Sequence, residues 1–200
     1  MAPRASNTIL SAPVRHPISV DEYDRMVEAG VFEDDARLEL INGEIVEMTP
    51  IGAPHSSRVD RLTMYFASRL SGRAIVRVQG PVHVGSHSEP QPDLLLLKPR
   101  DDFYARVHPG SEDVLLVVEV AQSSLAIDRD VKGPLYRGEA ILEYWIVNLI
   151  DEVIEIRRHD APRVTAVARR GESISPLAFP DLVVPVDEIL GPELSAEPSA

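Results

Sequence analysis

Apolar and polar positions alternate with clear changes of period along this chain. Val20, Tyr23, Met26 and Val27 recur at helical spacing, and Ser19 and Glu22 form a capping box before them. Gly30 is a natural stop, so the pattern predicts a helix over 20–29. Residues 37–41 and 44–48 alternate around Asn42-Gly43, the strongest short hairpin signal. Val59, Leu62, Phe66 and Leu70 mark a second helix over 56–71, opened by His55 and closed by Gly72. Strands are predicted at 74–78, 82–84, 93–97 and 114–120, with a turn-rich loop at 86–92. Residues 128–138 read as a helix limited by Pro134. Residues 143–148, 152–158, 164–168 and 182–185 read as further strands.

This order describes an α+β (α/β) domain: a central mixed β-sheet flanked by helices, with a C-terminal β-meander. The expected organisation is a flexible arm over 1–17, one domain over 18–190 and a flexible tail over 191–200. The runs at 93–97 and 114–120 are continuously apolar, so they should be central strands covered on both faces, with helices 20–29 and 56–71 as the cover.

One residue breaks the second of those runs. Glu119 sits near the end of Val114-Leu-Leu-Val-Val-Glu-Val120. A lone buried carboxylate is costly, so it must be paired, neutralised or bound to a metal. Asp93 immediately precedes Leu94-Leu-Leu-Leu97. Two buried strands, each with one acid near an end, would bring both carboxylates together for a hard divalent cation. Other residues are ambiguous singly. Lys132 reads as a solvated lysine or as a helix residue reaching back over the strand ends. Glu39 alternates with Leu38 and Leu40 and so reads as outward-facing, and His55 as a polar residue in a first helical turn.

Composition narrows the chemistry. The 200 residues contain no cysteine, which removes disulfides, zinc–thiolate sites and cysteine nucleophiles. No apolar stretch approaches a membrane span and no signal peptide is visible, so a cytoplasmic protein without a membrane partner is expected. The formal charge of −12 disfavours nucleic acid as a partner in bulk. Its distribution is uneven, however: acids crowd residues 21–47, and Arg58, Arg61, Arg69, Arg73 and Arg77 follow against Asp60 alone.

Several pieces fall in one order: Arg37-Leu-Glu39-Leu-Ile-Asn-Gly-Glu-Ile, His55 opening a helix, Pro92-Asp93-Leu, Val118-Glu119-Val120, Ser123-Ser124, Asp128-Arg129, Lys132, Tyr136 and Glu143-Tyr-Trp-Ile-Val147. In these the chain resembles the Uma-type (DUF820-like) restriction endonuclease family of the PD-(D/E)XK nuclease superfamily, over roughly residues 17–190. The resemblance implies a restriction endonuclease-like core and an endonuclease that hydrolyses DNA phosphodiester bonds. It implies Asp93 and Glu119 as metal-binding acids and the Val120 carbonyl as a third ligand. The superfamily lysine usually follows two residues after the second acid, where this chain has Ala121. The resemblance puts Lys132 in that role, with Glu39 as an additional acid and His55 as its polar neighbour. Oxygen ligands with no cysteine and no histidine pair favour Mg²⁺ or Mn²⁺. Gln122, Gly133, Ala140 and Asn148 depart from the usual family pattern. Three functions follow as alternatives: a Mg²⁺-dependent endonuclease, expected as a homodimer; a catalytically weak or inactive nuclease-fold accessory protein; and a structural domain in which Glu119 is ion-paired.

Overall fold

The computed structural model describes residues 15–33, 35–48, 50–161 and 164–193. Most of the arm expected over 1–17 and of the tail expected over 191–200 lies outside them.

The capping box forms as the sequence predicts. Ser19 Oγ accepts from the Glu22 amide at 3.2 Å, and Glu22 Oε2 accepts from the Ser19 amide at 2.9 Å. Two otherwise orphaned donors are thereby satisfied, and α1 runs Val20–Glu28. Val20 and Tyr23 are buried, whereas Val27 is 53% exposed, so the stripe faces inward only at its start. Strands β1 (Leu38–Ile41) and β2 (Glu44–Glu47) pair antiparallel as a separate two-stranded sheet. Asn42 (φ 51°) and Gly43 (φ 79°) both lie in the left-handed region that a two-residue hairpin turn requires. α1 packs on this hairpin through Val20, Tyr23 and Leu40, with Ile18, Phe32 and Ile45 around them. That corrects the expectation that it covers the main sheet: the hairpin presents a closer apolar face.

The main sheet has six strands in the order β3-β4-β5-β6-β7-β8. They are β3 (Ile75–Val78), β4 (Leu94–Leu97), β5 (Val114–Ala121), β6 (Glu143–Asn148), β7 (Val153–Arg158) and β8 (Val164–Arg169). All neighbours are antiparallel except β5 and β6. A parallel pair needs a crossover, and the connection from β5 to β6 contains a helical segment over residues 125–138. The period-2 alternation divides the strands between two cores. Leu94, Leu96, Leu116, Val118, Val120 and Trp145 face α2 (Ala53–Arg69) and the C-terminal helix (Val186–Leu190). Leu95, Leu97, Val117, Ala121, Tyr144 and Ile146 face Tyr136 of the crossover. Leu95, Leu96 and Val117 have no exposed surface, as their continuous apolar runs require. Full burial of each such side chain contributes about 1.5–3 kcal/mol.

Three local expectations change. α2 begins at Ala53 rather than 56, because Pro54 fits a first turn whose amides need no intrahelical acceptor. Residues 82–84 are not a strand. Val82 and Val84 are buried, but their amides bond Pro90 and Ser88 carbonyls across a loop, and only His83 makes an isolated bridge, to Gly110. Of 182–185, only Val184–Pro185 is a strand (β10), paired with β9 (Ser173–Ile174).

The crossover helix starts at Leu125 and contains a π-helical turn, Asp128–Lys132, before its α-helical end, Gly133–Gly138. Pro134 has no amide hydrogen to donate back into the helix. The widened turn just before it, closed by the Gly133 amide on the Asp128 carbonyl, accommodates the proline. No helix among the described residues is long and apolar enough to cross a membrane.

Candidate active site

The β4–β5 register determines where the two acids meet. Leu94 pairs with Val118, so Asp93, one residue before β4, stands opposite Glu119. Opposed residues of an antiparallel pair share a face. Here it is the face of Leu95, Val117 and Ala121, under the crossover helix. The Asp93 amide donates to Glu119 Oε2 at 3.2 Å. Asp93 Oδ2 accepts from the Val120 amide and from His55 Nε2, each at 2.9 Å. His55 lies in the first turn of α2, and its Nδ1 is buried without a hydrogen-bond partner among the described residues. Asp93 Oδ1 has only a long contact from Gln79 Nε2, at 3.4 Å, among the described residues.

The crossover helix supplies the cation. Asp128, Lys132 and Tyr136 are spaced by four and are all buried, at 2%, 6% and 1% exposure. Lys132 Nζ donates to Glu119 Oε1 and to Glu39 Oε1, each at 2.9 Å. Tyr136 Oη donates to the same Glu119 oxygen at 3.1 Å. Glu39 is therefore not outward-facing: it is buried, and the Gln91 amide holds its Oε1 at 2.7 Å. Ser124 Oγ donates to Asp128 Oδ2 at 2.7 Å.

Glu39, His55, Asp93, Glu119, Asp128 and Lys132 line a cleft of about 360 Å³ between the hairpin, the start of α2, the end of β5 and the crossover helix. Four carboxylates (Glu39, Asp93, Glu119, Asp128) surround one ammonium. Burial is the main reason the Glu119 carboxyl is pushed well above its usual range. Lys132 opposes that shift, and Asp128, Asp93 and Glu39 add to it. Burial likewise raises Asp128, against Lys132 and the Ser124 hydroxyl. Burial alone would lower Lys132, but Glu119, Glu39 and Asp128 outweigh it and raise its pKa, so it stays charged. Burial, then the Glu119 charge, holds the Tyr136 phenol protonated as a donor. The cleft thus carries excess negative charge and oxygen donors, a set that fits a hard divalent cation. Asp93 and Glu119 could hold it, with the Val120 carbonyl beside them; Val120 lines the cleft and gives its amide to Asp93.

Asp128 and Tyr136 stand among the motif pieces of the sequence without a role assigned to them, and Gln79 and Gln91 are not singled out there as parts of this cluster. The first two carried a signal, a polar stripe at four-residue spacing through Lys132. The glutamines carried none, because their partners come from distant segments. Among the departing residues, Gln122 is exposed at the cleft wall. Asn148 is buried and caps the β6–β7 turn: its Oδ1 accepts from the Ile150 and Asp151 amides, and its Nδ2 donates to Asp151 and Glu155.

The six-stranded mixed sheet flanked by helices is a restriction endonuclease-like fold. The match to known families agrees. Residues 20–187 match the Uma2 family model, described as "Putative restriction endonuclease", and the chain belongs to that family. Among solved structures, it is similar to a "putative nuclease belonging to DUF820" from Anabaena variabilis. The TM-score is 0.69 at 17% identity, covering 87% of this chain and 98% of that one, so the two share a fold. No curated protein matches the chain.

Proposed function

We propose that this protein is a Mg²⁺- or Mn²⁺-dependent endonuclease acting on DNA, a cytoplasmic homodimer whose two sites would serve the two strands. The observation carrying this reading is the Asp93–Glu119 pair on adjoining strands, with the Lys132 ammonium on Glu119 at the wall of a cleft. In hydrolysis a water oxygen bonds to phosphorus and the bond to the leaving oxygen breaks, while negative charge grows on the phosphoryl oxygens. A divalent cation held by Asp93, Glu119 and the Val120 carbonyl would supply Lewis acidity for that chemistry. Lys132 is charged and would offset the growing charge on the phosphate. Glu39 and Tyr136 position Lys132 and Glu119 respectively, and His55 orients Asp93. Family membership supports nuclease activity at this coarse level.

Two observations favour a second reading, a nuclease fold without cleavage. Lys132 is already ion-paired to both Glu39 and Glu119, and the chain carries −12 overall. A plasmid-nicking assay with Mg²⁺ or Mn²⁺ separates the two. Metal-dependent nicking by the wild type that disappears in Glu119→Ala is the expected result. No nicking by the wild type with either metal would leave the non-catalytic reading standing.

A further inference from the structure

A second cluster lies away from the cleft. β1 presents alternate residues to two sides: Glu39 lines the cleft described above, and Leu38 lines a separate cavity of about 750 Å³. On the wall of that cavity, Asp24 of α1 meets His83 and Glu89 of the loops before β4, and one ligand atom from each lies within 4.8 Å of the others. His108 lines the same cavity, its ring edge-on to His83 with centroids 5.6 Å apart.

The cluster is more than a group of acids. Glu89 is 5% exposed. Its Oε2 is ion-paired with His83 Nε2 at 3.0 Å, and neither buried atom has a well-aligned hydrogen bond among the described residues. A buried carboxylate oxygen and imidazole nitrogen that meet without good hydrogen-bond alignment leave lone-pair directions open to a further ligand. Two carboxylates and an imidazole nitrogen that converge on one point form a ligand set for a cation.

We propose that Asp24, His83 and Glu89 form a binding site for a divalent transition metal of the zinc type, separate from the cleft of Asp93 and Glu119. One imidazole nitrogen and two carboxylate oxygens suit such an ion better than Mg²⁺, which prefers an all-oxygen shell. His108, whose ring stands against His83 in the same cavity, is the candidate for a fourth ligand. The ion would clamp α1 to the segment whose next residues matter to the cleft: Glu89 pairs with Leu40, the Gln91 amide holds Glu39, and Asp93 follows. Its role is structural, and it does not depend on the nuclease reading.

The test uses the full untagged chain, dialysed against Zn²⁺ and then against metal-free buffer, with zinc measured by mass spectrometry and unfolding followed by circular dichroism. The wild type and Glu119→Ala should each retain one equivalent. Saturating Zn²⁺, at about 100 times Kd, should raise Tm by roughly 5–10 °C. Glu89→Gln and His83→Ala should lose both effects. If either is unfolded, Asp24→Asn, on a half-buried helix position, carries the same comparison. Zinc retained by the folded variants, zinc lost in Glu119→Ala, or no zinc held by the wild type would each overturn the proposal.

Discussion

Replacing Lys132 by methionine keeps the length of the side chain and removes its charge. The ammonium is 7% exposed and makes 2.9 Å contacts to Glu39 and Glu119, themselves 6% and 5% exposed, so solvent cannot take its place. Breaking a buried ion pair by removing one partner costs about 3–5 kcal/mol. At roughly 2–4 °C per kcal/mol for a chain of this size, Tm should fall by roughly 6–20 °C. The loss should depend on pH, in a direction that follows from Glu119. Its pKa is already raised in the folded state, and Lys132 is the main group opposing that rise. Without Lys132, folded Glu119 holds its proton more tightly still than the unfolded chain does. The folded state then binds more protons, and stability falls as pH rises through the interval between the unfolded and folded pKa values. Lys132→Met should therefore be closer to wild type at pH 5 than at pH 8. Adding Glu119→Gln and Glu39→Gln should recover much of the loss, because the two carboxylates bonded to Lys132 are then neutral. Thermal unfolding of the wild type, Lys132→Met and the triple variant at both pH values reads this directly. A single variant within 2 °C of wild type at pH 8, or one less stable at pH 5 than at pH 8, would refute the reasoning. In the same variant, nicking should vanish while Mn²⁺ still binds, since an ammonium has no lone pair to offer a metal.

Asp93→Asn should weaken Mn²⁺ binding at the cleft at least tenfold by titration calorimetry, because the carboxylate charge is lost while the Val120 and His55 contacts keep an oxygen acceptor. Leu96→Ala, at a fully buried position in β4, should cost about 2–5 kcal/mol in urea unfolding with the m-value unchanged. Gly43→Ala should destabilise by more than about 1 kcal/mol, since φ is +79° and the new Cβ would meet Pro17 Cβ at 2.6 Å; thermal unfolding at the wild-type Tm would show it.

Local order was largely legible from local chemistry. The Ser19–Glu22 box, the Asn42-Gly43 turn and the 3.6 and 2.0 periods state their structures within a few residues, because caps, turns and amphipathic faces are short-range constraints. The strain of an acid in an apolar strand marked Glu119, and the Pro-Asp before the next leucine run marked Asp93. Tertiary structure decided what those acids touch. Glu39 alternates in sequence as an outward residue, yet it is buried, because the hairpin leans over the end of β5 and not away from it. Lys132 could have been any surface lysine; the parallel β5–β6 pair requires a crossover, and that crossover turns positions 128, 132 and 136 onto Glu119. Val82 and Val84 look like a strand because burial selects the same residues in a packed loop. Asp24, His83 and Glu89 have no common spacing at all. Their meeting depends on α1 packing on the hairpin, a contact set by long-range apolar fit, which no local pattern encodes.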